Sequence, residues 1–135
     1  MKIIIDTCVW SLALGRNESQ SNEYVNELKE LIKEVRAQLV GPVRQELLSG
    51  IKSNKQFKLL KRHLAAYDDL ELEREDYELA AEYFYTARKK GIQGSNTDFL
   101  ICAISTRRNM PVLTTDKDFS NFKAVLSIKL HGPRA

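Results

Sequence analysis

The stretch Lys2-Ile3-Ile4-Ile5-Asp6-Thr7 predicts a buried strand, because a short β-branched run that stops at an aspartate is typical of one. Apolar and polar residues do not alternate within it, so both faces of this strand are expected to be covered. Similar short apolar runs alternate with helical segments along the rest of the chain. The sequence therefore predicts an α/β protein with a parallel sheet covered on both faces.

Beyond this strand, the sequence predicts further strands and helices in turn. Strands are predicted at residues 38–40, 69–72, 111–115 and 128–130, which gives a sheet of four or five strands. Helices are predicted at residues 42–48, 53–66, 75–90 and 97–108. In the helix at residues 53–66, three apolar side chains are expected to face inward: Phe57, Leu60 and Leu64.

An earlier amphipathic helix follows a polar stretch, and Ser21 is its predicted N-cap. Its apolar residues keep the three-and-four spacing of one buried face. The predicted members of that face are Tyr24, Leu28, Leu31, Ile32 and Val35.

Length and composition indicate one domain covering residues 1–135. Hydrophobic residues make up 43% and charged residues 29% of the chain, which excludes a disordered and a membrane-embedded protein. The apolar runs are too short to cross a bilayer, and no secretory signal is visible. Cys8 and Cys102 lie in apolar segments without a Cys-x-x-Cys pair, so a reducing, cytoplasmic location is expected.

The charge is mildly basic, with 21 Lys and Arg against 18 Asp and Glu and a net charge of +3. This balance permits a nucleic-acid partner without requiring one. A series of cations marks one helical region: Lys52, Lys55, Lys58, Lys61 and Arg62. Two interpretations of the series stay open, a solvated helix face and a surface that contacts phosphates. The clusters at residues 88–90 and 107–108 are better explained as basic helix ends.

Four acidic residues stand where a parallel sheet is expected to collect a ligand. Asp6 and Asp116 each follow a predicted strand. Asp98 lies in the first turn of an apolar helix, and Glu46 lies one turn into the helix that begins at Pro42. Each acid alone is explained as a cap, a turn residue or a salt-bridge partner. If they converge, they make an all-oxygen site that suits Mg²⁺ or Mn²⁺, because like charges so close together require a cation.

Four stretches of the chain, taken together, carry a specific signal: Lys2-Ile-Ile-Ile-Asp6-Thr7, Gly41-Pro-Val-Arg-Gln-Glu46-Leu-Leu-Ser-Gly50, Asn96-Thr-Asp98-Phe-Leu-Ile-Cys-Ala103 and Leu113-Thr-Thr-Asp116-Lys-Asp-Phe119. They resemble the four conserved stretches of PIN-domain nucleases, occur in the family's order and cover nearly the whole length. Each stretch alone is a weak signal, whereas the ordered set is specific. The resemblance implies a three-layer α/β/α sandwich around the parallel sheet.

The same resemblance implies a set of site residues and a reaction. An acidic quartet would bind Mg²⁺ or Mn²⁺, and its members are Asp6, Glu46, Asp98 and Asp116. Asp118 is an alternative fourth acid, although Asp116 is favoured. Thr7 and Asn96 would support the site by orienting a carboxylate or a water molecule. The implied activity is that of a metal-dependent endoribonuclease, in which activated water attacks RNA and leaves a 5′-phosphate and a 3′-hydroxyl.

The length matches that of single-domain VapC-type toxins of toxin–antitoxin pairs, so the resemblance also implies partners. These are an RNA substrate, a cognate antitoxin protein and a second copy of the chain in a homodimer. Four apolar residues are candidates for the protein contacts, although a core position is the preferred interpretation: Trp10, Tyr24, Leu28 and Leu31.

Other classes of protein fit the sequence less well. His63 and His131 are unconnected, so they give no basis for an acid–base pair or a triad. No Gly-rich phosphate loop is present. Haloacid-dehalogenase-like enzymes place a second aspartate two residues after the first, where this chain has Cys8. The alternative that stays open is a catalytically silent PIN-like domain that binds RNA or a protein.

Overall fold

The computed structural model describes residues 1–15 and 22–134. Its strands are β1 (Ile3–Ile5), β2 (Ala37–Gln38) and β3 (Val112–Leu113). Its helices are α1 (Thr7–Leu14), α2 (Glu23–Lys33), α3 (Gly41–Ser49), α4 (Asn54–Leu64), α5 (Arg74–Lys89), α6 (Asn96–Arg108) and α7 (Asp118–Val125).

The three strands form one parallel sheet with the order β2-β1-β3. The α/β class and the parallel sheet are confirmed, but the prediction of four or five strands is wrong for the described residues. The segments at 69–72 and 128–130 each make only an isolated parallel bridge, Leu39 to Asp69 and Val112 to Leu130. Each runs beside the sheet for a single residue pair, which is too short to add a strand.

β1 is the central strand, and its burial shows that both faces of the sheet are covered. Ile3, Ile4 and Ile5 are each 0% exposed although successive side chains point to opposite faces. Helix α6 supplies much of the covering core, since its residues 99–105 are all buried. A continuous apolar run on a helix and on a strand is therefore explained by burial on all sides.

The amphipathic helix α2 begins at the N-cap Asn22, whose side chain accepts hydrogen bonds from two backbone N–H groups. The predicted cap Ser21 lies outside the described residues. Leu28 and Leu31 are buried as predicted, but the prediction for Val35 is wrong. Val35 lies beyond the helix with φ of 57° and is 78% exposed, because the chain turns there in a left-handed conformation.

Helices α3 and α4 lie close to their predicted positions. Pro42 occupies the first turn of α3 and Gly50 caps its end. Ser53 caps α4 by accepting a hydrogen bond from the Gln56 N–H. Leu64 is buried, whereas Phe57 is 37% exposed, so its predicted inward position is wrong. Phe57 lies in the first half of α4, where the neighbouring residues 52–59 are all exposed.

Two short helices, α1 and α7, escaped the sequence analysis. Each has eight residues; α1 follows Asp6 at the end of β1, whereas residues 114–117 separate α7 from the end of β3. Helix α1 buries Trp10 at 3% exposure, and α7 buries Phe119 and Phe122. The core position preferred for Trp10, Leu28 and Leu31 is thereby confirmed.

A buried carboxylate ties α5 to the end of α6. Asp76 is 0% exposed and accepts hydrogen bonds from Arg107 at 2.6 Å and from Arg108 at 2.7 Å. Burial alone would raise the pKa of Asp76, but the bonds from Arg108, the Glu73 backbone and Arg107 outweigh it and lower the pKa. The basic cluster at 107–108 is therefore part of the fold.

The last described residues are held to α2 by a second ion-pair cluster. Glu27 is 3% exposed and contacts His131 at 2.6 Å and Arg134 at 2.9 Å. Arg134 also pairs with Glu34 at 2.9 Å.

Across the described ranges, 1–15 and 22–134, none of the helices is both long and apolar enough to cross a membrane.

Candidate active site

Asp6 is placed at the carboxyl end of the central strand by backbone pairing. Its N–H donates to the Leu113 carbonyl at 3.0 Å, which fixes it beside the end of β3. Its Oδ1 accepts from the Thr7 N–H at 2.8 Å and caps α1. The side chain is nearly buried, with the residue 5% exposed. Because β2 and β3 lie on opposite sides of β1, this position is where a parallel sheet reverses its strand order and opens a crevice.

Thr114 connects two of the predicted acids, although it was not among the site residues predicted from the sequence. Its hydroxyl donates to Asp6 Oδ2 at 2.8 Å and accepts from the Asp116 N–H at 3.0 Å. The hydroxyl thus orients the carboxylate that follows β1 and the backbone that follows β3. In the sequence, Thr114 lies within the strand predicted at residues 111–115, just before Asp116. The strand propensity of threonine alone explains its presence there.

Asp98 is held by a capping box at the start of α6. The Ser95 N–H donates to Asp98 Oδ2 at 3.0 Å, and the Asp98 N–H donates to Ser95 Oγ at 3.1 Å. Gly94, just before the cap, packs so closely that an added Cβ would lie 2.7 Å from Phe122 Cζ. Only glycine fits this approach, which brings the first turn of α6 down onto the aromatic core.

The carboxylates after β1, after β3 and in α6 interact electrostatically although they are far apart in sequence. The pKa of Asp6 is raised by burial and by the charge of Asp116, against hydrogen bonds from Thr114, Thr7 and Cys8 that lower it. The pKa of Asp98 is raised by burial and by the charges of Asp6 and Asp116. The charge of Asp116 thus disfavours the ionised forms of Asp6 and Asp98, and the charge of Asp6 disfavours the ionised form of Asp98.

Glu46 reaches the group through Thr7. The Thr7 hydroxyl donates to Glu46 Oε1 at 2.9 Å, and the Thr7 N–H bonds to Asp6. Glu46 is exposed on α3, so it lies at the outer edge of the site. Thr7 thus contacts two of the predicted acids, and its supporting role stays a prediction.

Asp118 and Asn96 lie at the periphery. The Asp118 N–H donates to Asp116 Oδ1 at 2.9 Å, so Asp116 closes the turn that begins α7. Asp118 is exposed, whereas the charge of Asp116 raises the pKa values of Asp6 and Asp98. Asn96 is the exposed first residue of α6 and lines a small cavity with Pro42 and Tyr77.

The residues fit a hard divalent cation in chemistry, but they are not preassembled around one. Within the described residues, no three carboxylate, imidazole or thiol groups stand close enough together to hold a metal ion as arranged. The donors that converge are carboxylate oxygens, which Mg²⁺ and Mn²⁺ prefer. Asp98 Oδ1 accepts no hydrogen bond within the described part of the chain. A cation would also offset the repulsion that raises the pKa values of Asp6 and Asp98.

The two thiols add no nucleophile. Cys102 is fully buried, and burial together with the charges of Asp98 and Asp6 raises its pKa far above the usual value. Cys8 is half-buried, and its Sγ lies 3.5 Å from Asp6 Oδ2 and accepts from the Thr115 N–H at 3.4 Å. The Cys8 thiol therefore contacts Asp6 Oδ2 and the backbone of Thr115.

The fold and the site define an α/β protein with carboxylates gathered at the ends of β1 and β3. The model of the PIN domain family matches residues 3–125, so this chain belongs to the PIN domain family. PIN domains are generally nucleases. The resemblance in the four sequence stretches is thereby confirmed. A search of curated proteins gave no match.

Several solved structures share this fold, among them a member of the VapBC family of toxin–antitoxin systems. FitAcB from Neisseria gonorrhoeae has a TM-score of 0.75 and 23% identity, over 97% of each chain. VapBC2 from Rickettsia felis, bound to a promoter DNA fragment, has a TM-score of 0.73 and 20% identity, over 97% of this chain and 98% of that one. VapBC-5 from Mycobacterium tuberculosis has a TM-score of 0.66 and 17% identity, over 96% of each. At such identities the likeness establishes the fold.

Proposed function

We propose that this chain is a metal-dependent endoribonuclease that uses Asp6, Glu46, Asp98 and Asp116 to hold Mg²⁺ or Mn²⁺. The observation that carries the proposal is the hydrogen bonding that links three of the acids: Thr114 bonds to Asp6 Oδ2 and to the Asp116 N–H, and Thr7 bonds to Asp6 and to Glu46. The charges of Asp6 and Asp116 also raise the pKa of Asp98. Three separate segments bring like charges to one crevice, which is costly unless a cation balances them. Asp116 is preferred to Asp118 because its charge acts on the other two acids.

In this proposal the chain's own residues hold the acids in place. Thr114 and Thr7 orient Asp6 and Glu46, and Ser95 orients Asp98. A bound divalent ion supplies a Lewis acid that activates water and stabilises negative charge on the phosphate. Attack by water on phosphorus breaks the bond to the 3′ oxygen, which leaves a 5′-phosphate and a 3′-hydroxyl. Asn96, two residues before Asp98 at the start of α6, is proposed to help orient a carboxylate or a water molecule, as Thr7 does.

The test is cleavage of a mixed RNA pool by the purified chain with Mg²⁺, with Mn²⁺ and with a chelator. The decisive variant is Asp98→Asn, and Asp68→Asn is the matched control because Asp68 is exposed and lies outside the site. The wild type and the control are expected to cut only with metal, and Asp98→Asn to lose activity. Cutting that survives the chelator, or equal cutting by Asp98→Asn, contradicts the proposal.

The structural likeness to toxin–antitoxin complexes supports a cellular role. We infer that the chain is a cytoplasmic toxin, forms a homodimer and is neutralised by a cognate antitoxin protein. Induced expression in a bacterial host is expected to arrest growth, and Asp98→Asn is expected to relieve the arrest. Growth arrest of equal strength with Asp98→Asn would show toxicity unrelated to cleavage. A catalytically silent binding domain remains the second candidate only if neither RNA cleavage nor metal binding is found.

A further inference from the structure

We infer that one face of α4 is the RNA-binding arm of this protein, with Lys55, Lys58 and Arg62 contacting the phosphates that flank the cut. This inference rests on the proposed ribonuclease function and extends it by naming the surface that holds the substrate. The three cations recur at intervals of three and four residues, so they form a stripe of about 10 Å along the helix.

The first observation is that the charge around α4 is of a single sign. Residues 47–67 contain five Lys and Arg and no Asp or Glu, so the rest of the chain is net acidic. The other solvated helices mix their charges and pair them, as Arg74 does with Glu78 on α5 and Lys33 with Glu30 on α2. A helix face that only needs solvent does not require this segregation.

The second observation is that the α4 cations are exposed and available. Within the described residues, none of the cations from Lys52 to Arg62 forms an ion pair, and all of them are exposed. In contrast, other arginines of the chain are committed to carboxylates, as Arg44 is to Asp69 and Arg108 to Asp76. The free cations of α4 can therefore replace the counterions of a polyanion without losing contacts within the protein.

The third observation is that part of the series opposes helix stability. Lys55 lies in the first turn of α4, where no acidic residue is present. A cation at a helix N-terminus is unfavourable to the helix dipole, whereas Lys61 and Arg62 near the C-terminus are favourable. Helix stability therefore accounts for Lys61 and Arg62 near the C-terminus of α4, and it does not account for Lys55 near the N-terminus.

The fourth observation is the position of α4 beside the proposed site. A groove of about 770 Å³ is lined by Ser11 and Leu14 of α1, by Glu46 of α3, and by Lys52, Gln56 and His63 from α4 and the segment before it. Of the basic series only Lys52 lines this groove, and helical spacing puts Lys55 and Arg62 on the neighbouring flank of α4, with Lys58 beyond them. Glu46 at the groove edge is linked to Asp6 through Thr7, so the groove joins α4 to the proposed site.

The test compares two triple variants that remove equal charge. One is Lys55→Gln/Lys58→Gln/Arg62→Gln, and the matched control is Lys2→Gln/Lys29→Gln/Lys90→Gln, whose lysines are exposed and unpaired within the described residues. Binding of a labelled single-stranded RNA is measured by fluorescence anisotropy in chelator, across a series of salt concentrations. The α4 variant is expected to lose about tenfold or more in affinity, and its salt slope to fall by about 2. The control is expected to change affinity by less than about threefold.

Cleavage kinetics provide an independent readout. The α4 variant is expected to raise KM for RNA and to leave kcat unchanged, because α4 does not contact the reacting atoms. The inference is overturned if both triple variants lose RNA affinity equally, or if the α4 variant loses none. In either case, metal-dependent cutting by the wild type leaves the proposed function intact. If the α4 variant keeps its RNA affinity and instead loses affinity for a Glu-rich peptide, α4 is a protein-docking face and the inference is wrong.

Discussion

The Thr114 hydroxyl donates a hydrogen bond of 2.8 Å to Asp6 Oδ2, across 108 positions of sequence. The same hydroxyl accepts from the Asp116 N–H, so one small side chain sets the positions of two acids. Both acids follow neighbouring parallel strands, and the Asp6 N–H is paired to the end of β3. The arrangement of the site is therefore a direct consequence of the strand register, with Thr114 as the connecting group.

Replacing Thr114 by valine keeps the shape of the side chain and removes the hydroxyl. We expect Thr114→Val to weaken Mn²⁺ binding by about tenfold to a hundredfold, since partners that orient a carboxylate ligand contribute on this scale. The affinity is measured by isothermal titration calorimetry. Thr114→Ser, which retains the hydroxyl, is the control and is expected to bind Mn²⁺ nearly as the wild type does. Equal affinity in the valine variant would show that the hydroxyl does not orient the site.

Removing the buried charge of Asp76 is expected to destabilise the fold. Asp76→Asn leaves Arg107 and Arg108 without their buried partner, and breaking such a pair costs about 3 kcal/mol in the free energy of unfolding. The quantity is measured by urea denaturation. Glu75→Gln is the control, because Glu75 is exposed and pairs loosely with Arg74 at 3.7 Å, and it is expected to cost less than about 1 kcal/mol. A loss of that small size in Asp76→Asn would contradict the structural role of the pair.

The stabilisation by Asp76 is expected to depend on pH. Its pKa is lowered in the folded chain, because the arginine and backbone hydrogen bonds outweigh burial, so the contribution is full above the ordinary aspartate value and is lost as the pH falls below it. The difference in unfolding free energy between wild type and Asp76→Asn should therefore be constant near neutral pH and shrink below about pH 4. Urea titrations at several pH values test this. A difference that grows on acidification would reverse the sign of the assigned pKa shift.

Val35 offers a stabilising substitution. A β-branched residue with φ of 57° is strained, and its side chain is 78% exposed and gains little from burial. Val35→Gly is expected to raise the free energy of unfolding by about 1 kcal/mol, because glycine adopts this conformation without the steric cost. Thermal and urea unfolding measure the effect, and Val35→Ala, which keeps a Cβ, is the comparison. A loss of stability in Val35→Gly would show that the turn is not strained.

The sequence predicted the elements whose pattern is long or sharply bounded. Residues Ile3–Ile5 gave the central strand, and the capped helices α3 and α6 were found within one or two residues. The pattern also predicted that Asp6 and Asp116 each follow a strand, whereas the structure shows that these two strands are neighbours.

What the sequence did not predict depends on contacts between distant segments. Thr114 is ordinary as a strand residue, and its role appears only when β3 lies beside Asp6. The helices α1 and α7 are too short to show a repeating apolar pattern. The two additional strands predicted at residues 69–72 and 128–130 are absent because each segment pairs with the sheet at a single position, Asp69 and Leu130. The path of the chain past the sheet sets the length of this pairing, and local strand propensity does not encode it.

The proposed carboxylate metal site is tested most directly by Mn²⁺ binding to the purified chain, measured by isothermal titration calorimetry without RNA. We expect saturable binding by the wild type, a large loss of affinity in Asp6→Asn and in Asp98→Asn, and wild-type affinity in the distant control Asp68→Asn. Binding is also expected to weaken as the pH falls, since protons compete with the metal for Asp6 and Asp98, whose pKa values are raised. Absence of binding by the wild type, or equal binding by Asp6→Asn, would contradict the proposed carboxylate metal site.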